Sequence, residues 1–457
     1  MHKTKKKTYE IDMVHGPLTG KILLFAVPLM ISGILQLLFN AADIIVVGQF
    51  ASDYSVAAVG STGSLINLLV SVFMGLSVGV NVIVAHYHAI AREEDVSETV
   101  HTAVVTSFFA GLFLTFFGML LAAPLLSLMG TPDEVLPLAA VYLRIYFAGM
   151  CVNLLYNIGS AVLRATGDTR RPLFYLTIAG VVNVILNLFF VIVLHMDVAG
   201  VALATILSQC ISAVLVLRCL ATSEGSYRLE RKKLRIKKDK LLRILQIGLP
   251  AGLQGSVFSL SNVIIQSSVN AFGAMAMAGN AAGANIEGFV YVSMNAFYQA
   301  CVTFVSQNFG AHEWKRVKRV LVTCLVLVAG TGLVLGNLCH LFARPLVSLY
   351  TSDPDAVSVG MMRISVICTV YLVCGMMEVA CGAVRGLGAA ITPMIVATAG
   401  ACGLRILWIL TIFRMPGYHT LRMLYLSYPV SWVVTGIAHL VCFILLLKRA
   451  QQALSRP

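Results

Sequence analysis

"ILLFAVPLMISGILQLLFNAADIIVVGQF", residues 22–50, is an apolar run that contains one carboxylate, Asp43. About 20 apolar residues are enough to cross a bilayer as a helix. Whether Asp43 lies in a soluble core or in a membrane span depends on the rest of the chain. That chain has 457 residues, 58% hydrophobic and 12% charged, with mean hydropathy +0.87. A soluble protein carries roughly 25% charged residues. Similar runs recur at about 22–47, 57–85, 100–123, 136–163, 172–194, 198–217, 243–271, 277–305, 320–342, 358–384, 391–413 and 423–447. The expected fold is an all-α integral membrane protein with twelve transmembrane helices. The first run follows the Lys-rich tail "MHKTKKKTYE". It is too long for a signal peptide and is not followed by a small-residue cleavage site, so it reads as a retained span.

The net charge of +13 raises the possibility of a nucleic-acid partner, but the placement of the charge argues against one. With the N-terminus inside, 27 of the 33 Lys and Arg fall in inside segments and only Arg344, Arg414 and Arg422 fall outside. Arg144, Arg363 and Arg405 lie within spans, and Arg164 and Arg385 are counted in inside turns. This asymmetry follows the positive-inside rule. It predicts cytoplasmic termini and contact with anionic lipid headgroups. The eleven cysteines form no CxxC pair and lie almost all in apolar runs, where they read as small apolar side chains.

The longest polar stretch, "TSEGSYRLERKKLRIKKDK" (222–240), divides the chain into similar halves. Pro28, Asn40 and Phe50 align with Pro250, Asn262 and Phe272 at an offset of 222. "AVLRATGDTRRP" (161–172) aligns with "GAVRGLGAAITP" (382–393) at an offset of 221. A near-constant offset over such a distance marks an internal repeat. The expected organisation is an N-terminal six-helix lobe with its basic tail (1–221), a basic cytoplasmic linker (222–241) and a C-terminal six-helix lobe (242–457). Six spans per half make the repeats parallel, related by an axis along the membrane normal. Two such bundles suit alternating access.

Polar residues inside spans are costly, so their placement is informative. In the first span Pro28, Ser32, Gln36, Asn40 and Asp43 recur at steps of four or three and share one helical face. The seventh repeats the design with Pro250, Gln254, Asn262 and Gln266. Such stripes face a bundle interior or cavity, or they join helices. Pro28 and Pro250 are candidate hinges or static kinks. Asp43, Glu287 and Glu378 are the carboxylates within spans. An ionised acid at the bilayer centre costs about 2.5–3.5 kcal/mol. Each of the three is either an ion-coupling acid or the partner of a buried arginine, and Arg405 suits Glu378. No basic residue lies near Asp43 in its span. Amides that can join it are Asn153 and Asn157 in the fourth span and Asn183 and Asn187 in the fifth. Tyr156, Thr205 and Gln209 add polar groups in the same half, and Tyr291, Asn295, Tyr298 and Gln299 accompany Glu287 in the eighth span. Aromatic rings beside acids suit organic cations through cation–π contact. The histidines of "HYH" (86–88) point apart on a helix, so no metal site is expected, and no Walker sequence is present.

These residues resemble the multidrug and toxic compound extrusion (MATE) family of secondary transporters. The likeness runs from Leu18 to about Lys448. Its most specific pieces are "VPLMISGILQLLFNAADIIVVGQF", "LRATGDTRRPLFYLTIAGVVNVILNLFFVIVLHMDVAGVALATILSQ", "NIEGFVYVSMNAFYQACVTFVSQNFGA" and "SYPVSW". The chain looks closer to the DinF-like bacterial branch. The resemblance implies two six-helix lobes, cytoplasmic termini and cation-coupled export of drug-like cations. It implies that Pro28 and Asp43 serve coupling. The branch often places Asn and Asp one turn apart in the fifth span, whereas here both are Asn, Asn183 and Asn187. It also implies second-lobe carboxylates, which Glu287 and Glu378 supply.

The expected function is therefore an antiporter of the bacterial inner membrane. Ion coupling is assigned to Asp43, Asn157, Asn183, Asn187, Glu287 and Glu378. Substrate binding is assigned to Gln36, Asn40, Asn153, Tyr156, Thr205, Gln209, Asn262, Gln266, Tyr291, Asn295, Tyr298 and Gln299. The partners are small cationic solutes and lipids, with H⁺ or Na⁺ as coupling ion, no cofactor, no nucleic acid and a monomeric working state. The nearest rival is a lipid-linked oligosaccharide flippase, which needs an Arg-lined cavity for pyrophosphate. Only Arg144 lies within the first six spans. An intramembrane enzyme or receptor needs a nucleophile–base constellation or an external domain, and neither is visible.

Overall fold

Apolar runs this long have no partner for their backbone groups in hydrocarbon except themselves, so they form helices. The computed structural model describes residues 9–50 and 54–454, and among these every regular element is helical. The tail lysines Lys3 and Lys5–Lys7 lie outside the described residues. Twelve spans follow in chain order. They are α1 (Leu18–Phe50), α2 (Ala57–Ala89), α3 (Glu93–Leu128), α4 (the bent pair Leu136–Ala148 and Met150–Ala165), α5 (Arg170–Val193) and α6 (Asp197–Thr222). The second half has α7 (Lys238–Asn270), α8 (Ala274–Gly310), α9 (Trp314–Leu341), α10 (Pro354–Gly386), α11 (Ile391–Arg414) and α12 (Leu421–Ala453). The outer surface is apolar: Phe116 is 66% exposed and Val326 66%. Exposed apolar area on this scale belongs in lipid.

The chain divides into two compact units. The first comprises Met1–Gly63 and Val80–Ile244, and the second Ser64–Gly79 and Leu245–Pro457. Phe25, Leu126, Leu143, Phe147 and Leu154 fill the first core, and Phe297, Phe304, Ile364 and Tyr425 the second. Within the second unit, the backbones of α2 and α7 touch, with Gly75 against Gly248 and Gly252. The linker packs with the first unit. His101 Nε2 on α3 accepts from the Glu230 backbone N–H at 2.9 Å, and Thr102 Oγ1 accepts from the Lys237 N–H at 3.1 Å. Lys237 pairs with Glu98 at 2.9 Å, and Tyr227 donates to Glu10 at 2.6 Å.

The repeat is visible in the backbone. Gly167 and Gly388 both have positive φ (98° and 84°), as do Ala91 and His312 (53° and 59°). The left-handed turn after α4 thus recurs after α10, and the one after α2 recurs after α8. Helix defects recur as well. α4 bends by 47° next to Gly149, and α10 has a 3-10 turn at Cys368–Val370. α5 ends in a π segment at Phe189–Val193, and α11 contains one at Thr398–Gly403. The prolines behave differently from these breaks: α1 runs unbroken through Pro28 and α7 through Pro250. Ser32 Oγ donates to the Pro28 carbonyl at 2.8 Å, within that continuous turn.

Candidate functional site

In the first unit a close helix approach places the acid. Gly180 on α5 has no side chain, and the Phe39 ring of α1 occupies the space a Cβ would take. One turn further along α1 and two turns further along α5, Asp43 meets Asn187. Asn187 Nδ2 donates to Asp43 Oδ1 and also lies 3.3 Å from Asn183 Oδ1. Asn183 Nδ2 lies 3.4 Å from Thr205 Oγ1 on α6. The Thr205 hydroxyl also stands at the Asp43 carboxyl. Asp43, Asn183 and Asn187 are buried. No ion pair among the described residues involves Asp43, so its neighbours are neutral hydrogen-bonding groups. Asn187 Oδ1 is buried and has no hydrogen-bond partner among the described residues. An amide oxygen in that position can accept a proton donor or bind a cation.

The other residues expected here are placed around this chain rather than in it. Asn157 Nδ2 donates to Asn153 Oδ1 at 2.9 Å, so these two α4 amides bond to each other rather than to Asp43. Gln36 and Asn40 are exposed, and Tyr156 and Gln209 are half-buried. Tyr142 and Tyr146 on α4, which the sequence reading passed over, stack at 6.3 Å, and Tyr142 lies close to Asp43. Two tyrosines one turn apart inside a span were the available signal.

The second unit treats its acids differently. Arg363 on α10 grips Glu287 of α8 with two hydrogen bonds, Nε to Oε1 and Nη2 to Oε2, both 2.8 Å. Arg363 Nη1 donates to Asn280 Oδ1 at 2.7 Å, which also accepts from Tyr425 at 3.0 Å. Asn280 Nδ2 donates to Gln266 Oε1, and Gln266 donates to Asn270, both at 2.8 Å. The Tyr425 and Tyr428 rings lie 5.4 and 5.7 Å from the guanidinium. Of the two roles open to Glu287 in the sequence, the geometry supplies the arginine partner.

Glu378 is half-buried and makes no ion pair or hydrogen bond among the described residues. Arg405, its expected partner, donates instead to Ser431 Oγ at 2.9 Å and lies 4.3 Å from the Tyr428 ring centre. Arg385 does not face the cytoplasm, as the charge tally had placed it. It is buried, and it donates to Tyr298 and, at 2.6 Å, to Gln254 Oε1. Those polar acceptors on α8 and α7 are what draw it in. Among the expected substrate residues, Asn262 is exposed, Tyr291 is 37% exposed, and Gln299 donates to Asn295 at 3.0 Å.

Comparison with known proteins agrees with the repeat. The MatE family profile matches twice, at residues 28–189 and 250–410. The probable multidrug resistance protein YoeA of Bacillus subtilis is 26% identical over 90% of both chains. A protein named FAD transporter from Shewanella oneidensis is 26% identical over 93% of this chain and 95% of its own. A crystal structure of MATE in complex with MaL6 superposes with a TM-score of 0.91 at 20% identity, covering 98% of this chain and all of that one. The repeated six-span halves and the double family match lead to one conclusion: the chain belongs to the MatE family, and it is a multi-pass membrane transporter rather than an enzyme.

Proposed function

We propose that this transporter is an antiporter that exports organic cations in exchange for H⁺ or Na⁺ by alternating access, with Asp43 as a coupling acid. The observation that carries this reading is a buried carboxylate that, among the described residues, is held by neutral groups, beside an oxygen of Asn187 with no partner among them. Asn187 can serve both protonation states of Asp43. Its N–H₂ donates to the carboxylate, and its oxygen accepts from the protonated acid after a half-turn of the amide. The same oxygen, with Thr205, can ligate Na⁺ in place of the proton. Glu378, which has no ion pair or hydrogen bond among the described residues, is a second candidate. Glu287, gripped by Arg363, is not carried forward. The relative named as a probable multidrug resistance protein supports drug-like substrates, and the one named FAD transporter supports a wider range. The charge pattern supports a bacterial inner-membrane location with both termini and the linker cytoplasmic.

The energetics are sufficient. A membrane potential of 100 mV supplies about 2.3 kcal/mol per charge. At about 1.36 kcal/mol per decade, one net charge moved supports roughly a 50-fold substrate gradient. The test is transport in proteoliposomes with pH and Na⁺ gradients imposed separately. Export driven by neither gradient sinks the antiport reading. Sidedness is tested in a cysteine-free background, where a cysteine at Asp133 should react with an impermeant thiol reagent from outside and one at Lys232 should not.

A further inference from the structure

His101 on α3 holds the linker through one tautomer of its ring. The side chain is buried. Its Nδ1 lies 2.6 Å from the Ser97 carbonyl, which only accepts, so Nδ1 carries the proton. Its Nε2 accepts the Glu230 backbone N–H at 2.9 Å, so Nε2 is a bare lone pair. The contact therefore exists for the neutral ring alone, because a second proton would set one N–H against another. The linker is fixed on both sides of this point. Leu229 N–H donates to the Leu220 carbonyl near the end of α6 at 3.1 Å. Lys237 is held by Thr102 and Glu98, and Lys240 by Asp95. Between these anchors the 3-10 turn Arg231–Lys233 is tied to α3 through the Glu230 N–H. A cavity of about 660 Å³ between α3 and the linker has His101 in its wall, which gives protons a route to the ring.

Imidazole is the side chain whose ordinary charge change falls between about pH 5 and 8. Carboxylates, lysines and arginines ordinarily keep their charge across that range. The groups of that kind around His101 are Glu93, Glu94 and Glu98 on α3, and Glu224, Arg228, Glu230, Lys233, Arg235 and Lys237 on the linker. Lys233 donates to Glu230 at 3.0 Å and is the main cause that holds its carboxyl below the usual range. α4, which packs along α3 with Cys151 against Gly111, carries Arg164 at the same end. The ion pairs that anchor Lys237 and Lys240 thus outlast the charge change of the ring. We infer that His101 is a pH latch: the neutral ring holds the Arg231–Lys233 turn on α3, and protonation releases it while the anchors on either side stay in place. Docking is complete where the ring is neutral and is lost as pH falls through the imidazole range. The latch goes beyond the Asp43 coupling, and only the side from which acid acts, the cytoplasm, rests on the proposed topology.

The test is hydrogen–deuterium exchange of the purified full-length protein in detergent at about pH 7.5 and about pH 5.5, toward either end of the imidazole range. Exchange times are scaled to the intrinsic chemical rate at each pH. The measurement needs neither transport nor membrane orientation, so failure of the antiport reading leaves it intact. Peptides covering 229–234 should be protected at the higher pH and lose about tenfold in protection at the lower, as loss of one backbone hydrogen bond allows. Peptides covering 235–240 should keep theirs. His101→Gln offers an amide oxygen to the Glu230 N–H and does not titrate, so it should protect the turn equally at both pH values. His101→Phe offers no acceptor and should leave the turn released at both. Other histidines, such as His86 and His88 at the end of α2, are unchanged in these variants, which isolates His101. Should His101→Phe fail to fold, the wild type and His101→Gln decide. The inference is overturned if wild-type protection at 229–234 is the same at both pH values, if either folded variant keeps the wild-type pH response, or if His101→Phe is as protected as the wild type at the higher pH.

Discussion

Asp43 in the first unit and Glu287 in the second face the same problem, a carboxyl group inside an apolar bundle, and the two units meet it differently. Asp43 is held by the Asn187 amide, with Asn183 and Thr205 behind it. Glu287 is held by a guanidinium that is itself bonded to Asn280 and flanked by two tyrosines. A guanidinium only donates and does not lose its charge. It holds its carboxylate by two donated hydrogen bonds and suits structure. An amide both donates and accepts, so it tolerates either protonation state. On the proposed reading, the difference separates an acid placed to exchange an ion from one placed to hold two helices together.

The largest expected effect comes from neutralising Asp43, the proposed coupling acid. Asp43→Asn should insert normally, since an amide fits an amide-lined site, and should lose all gradient-driven export in proteoliposomes. Full export by this variant under an imposed ion gradient would reduce Asp43 to a structural residue and erase the contrast. The complementary change, Arg363→Met, leaves Glu287 buried and unpaired. It should destabilise the protein by about 3–5 kcal/mol, read as lost yield or a lowered thermal midpoint. Adding Glu287→Gln should recover most of that stability and retain export. A double variant that folds but no longer exports would assign Glu287 a role in transport after all.

A smaller effect contrasts the paired turns. Gly167 and Gly388 share a left-handed backbone, yet a Cβ at Gly167 would lie 2.6 Å from the Ile11 nitrogen, while one at Gly388 meets nothing within 4 Å. Gly388→Ala should cost about 1–2 kcal/mol from backbone strain alone. Gly167→Ala should cost more, because the N-terminal segment must also move. Equal midpoints for the two variants would show that Ile11 yields freely. The smallest change expected is Asn157→Ala, which removes a half-buried bond to Asn153 worth about 0.5–1.5 kcal/mol. Export should persist, and its loss would move Asn157 into the coupling chain.

Several features were legible in the chain itself because they are local or repeated. Span positions follow from hydrophobic length. The duplication follows from Pro28 and Pro250, or Gly167 and Gly388, at constant offset, and the family match repeats with the same register. The polar stripe through Asp43 follows from helical period. Partner choice was not legible. Asp43 and Asn187 are 144 residues apart, and Glu287 and Arg363 are 76 apart. Sequence offered Arg144, Arg363 and Arg405 for Glu287 and placed Arg385 in a turn. Which side chains meet depends on the depth and rotation of each helix in its bundle. Those are decided by close approaches such as Phe39 over Gly180, by the break at Gly149 and by the π segment after Asn187. A helix one residue out of register turns its polar face by about 100°, so only the packed structure could decide which acid is paired and which remains free.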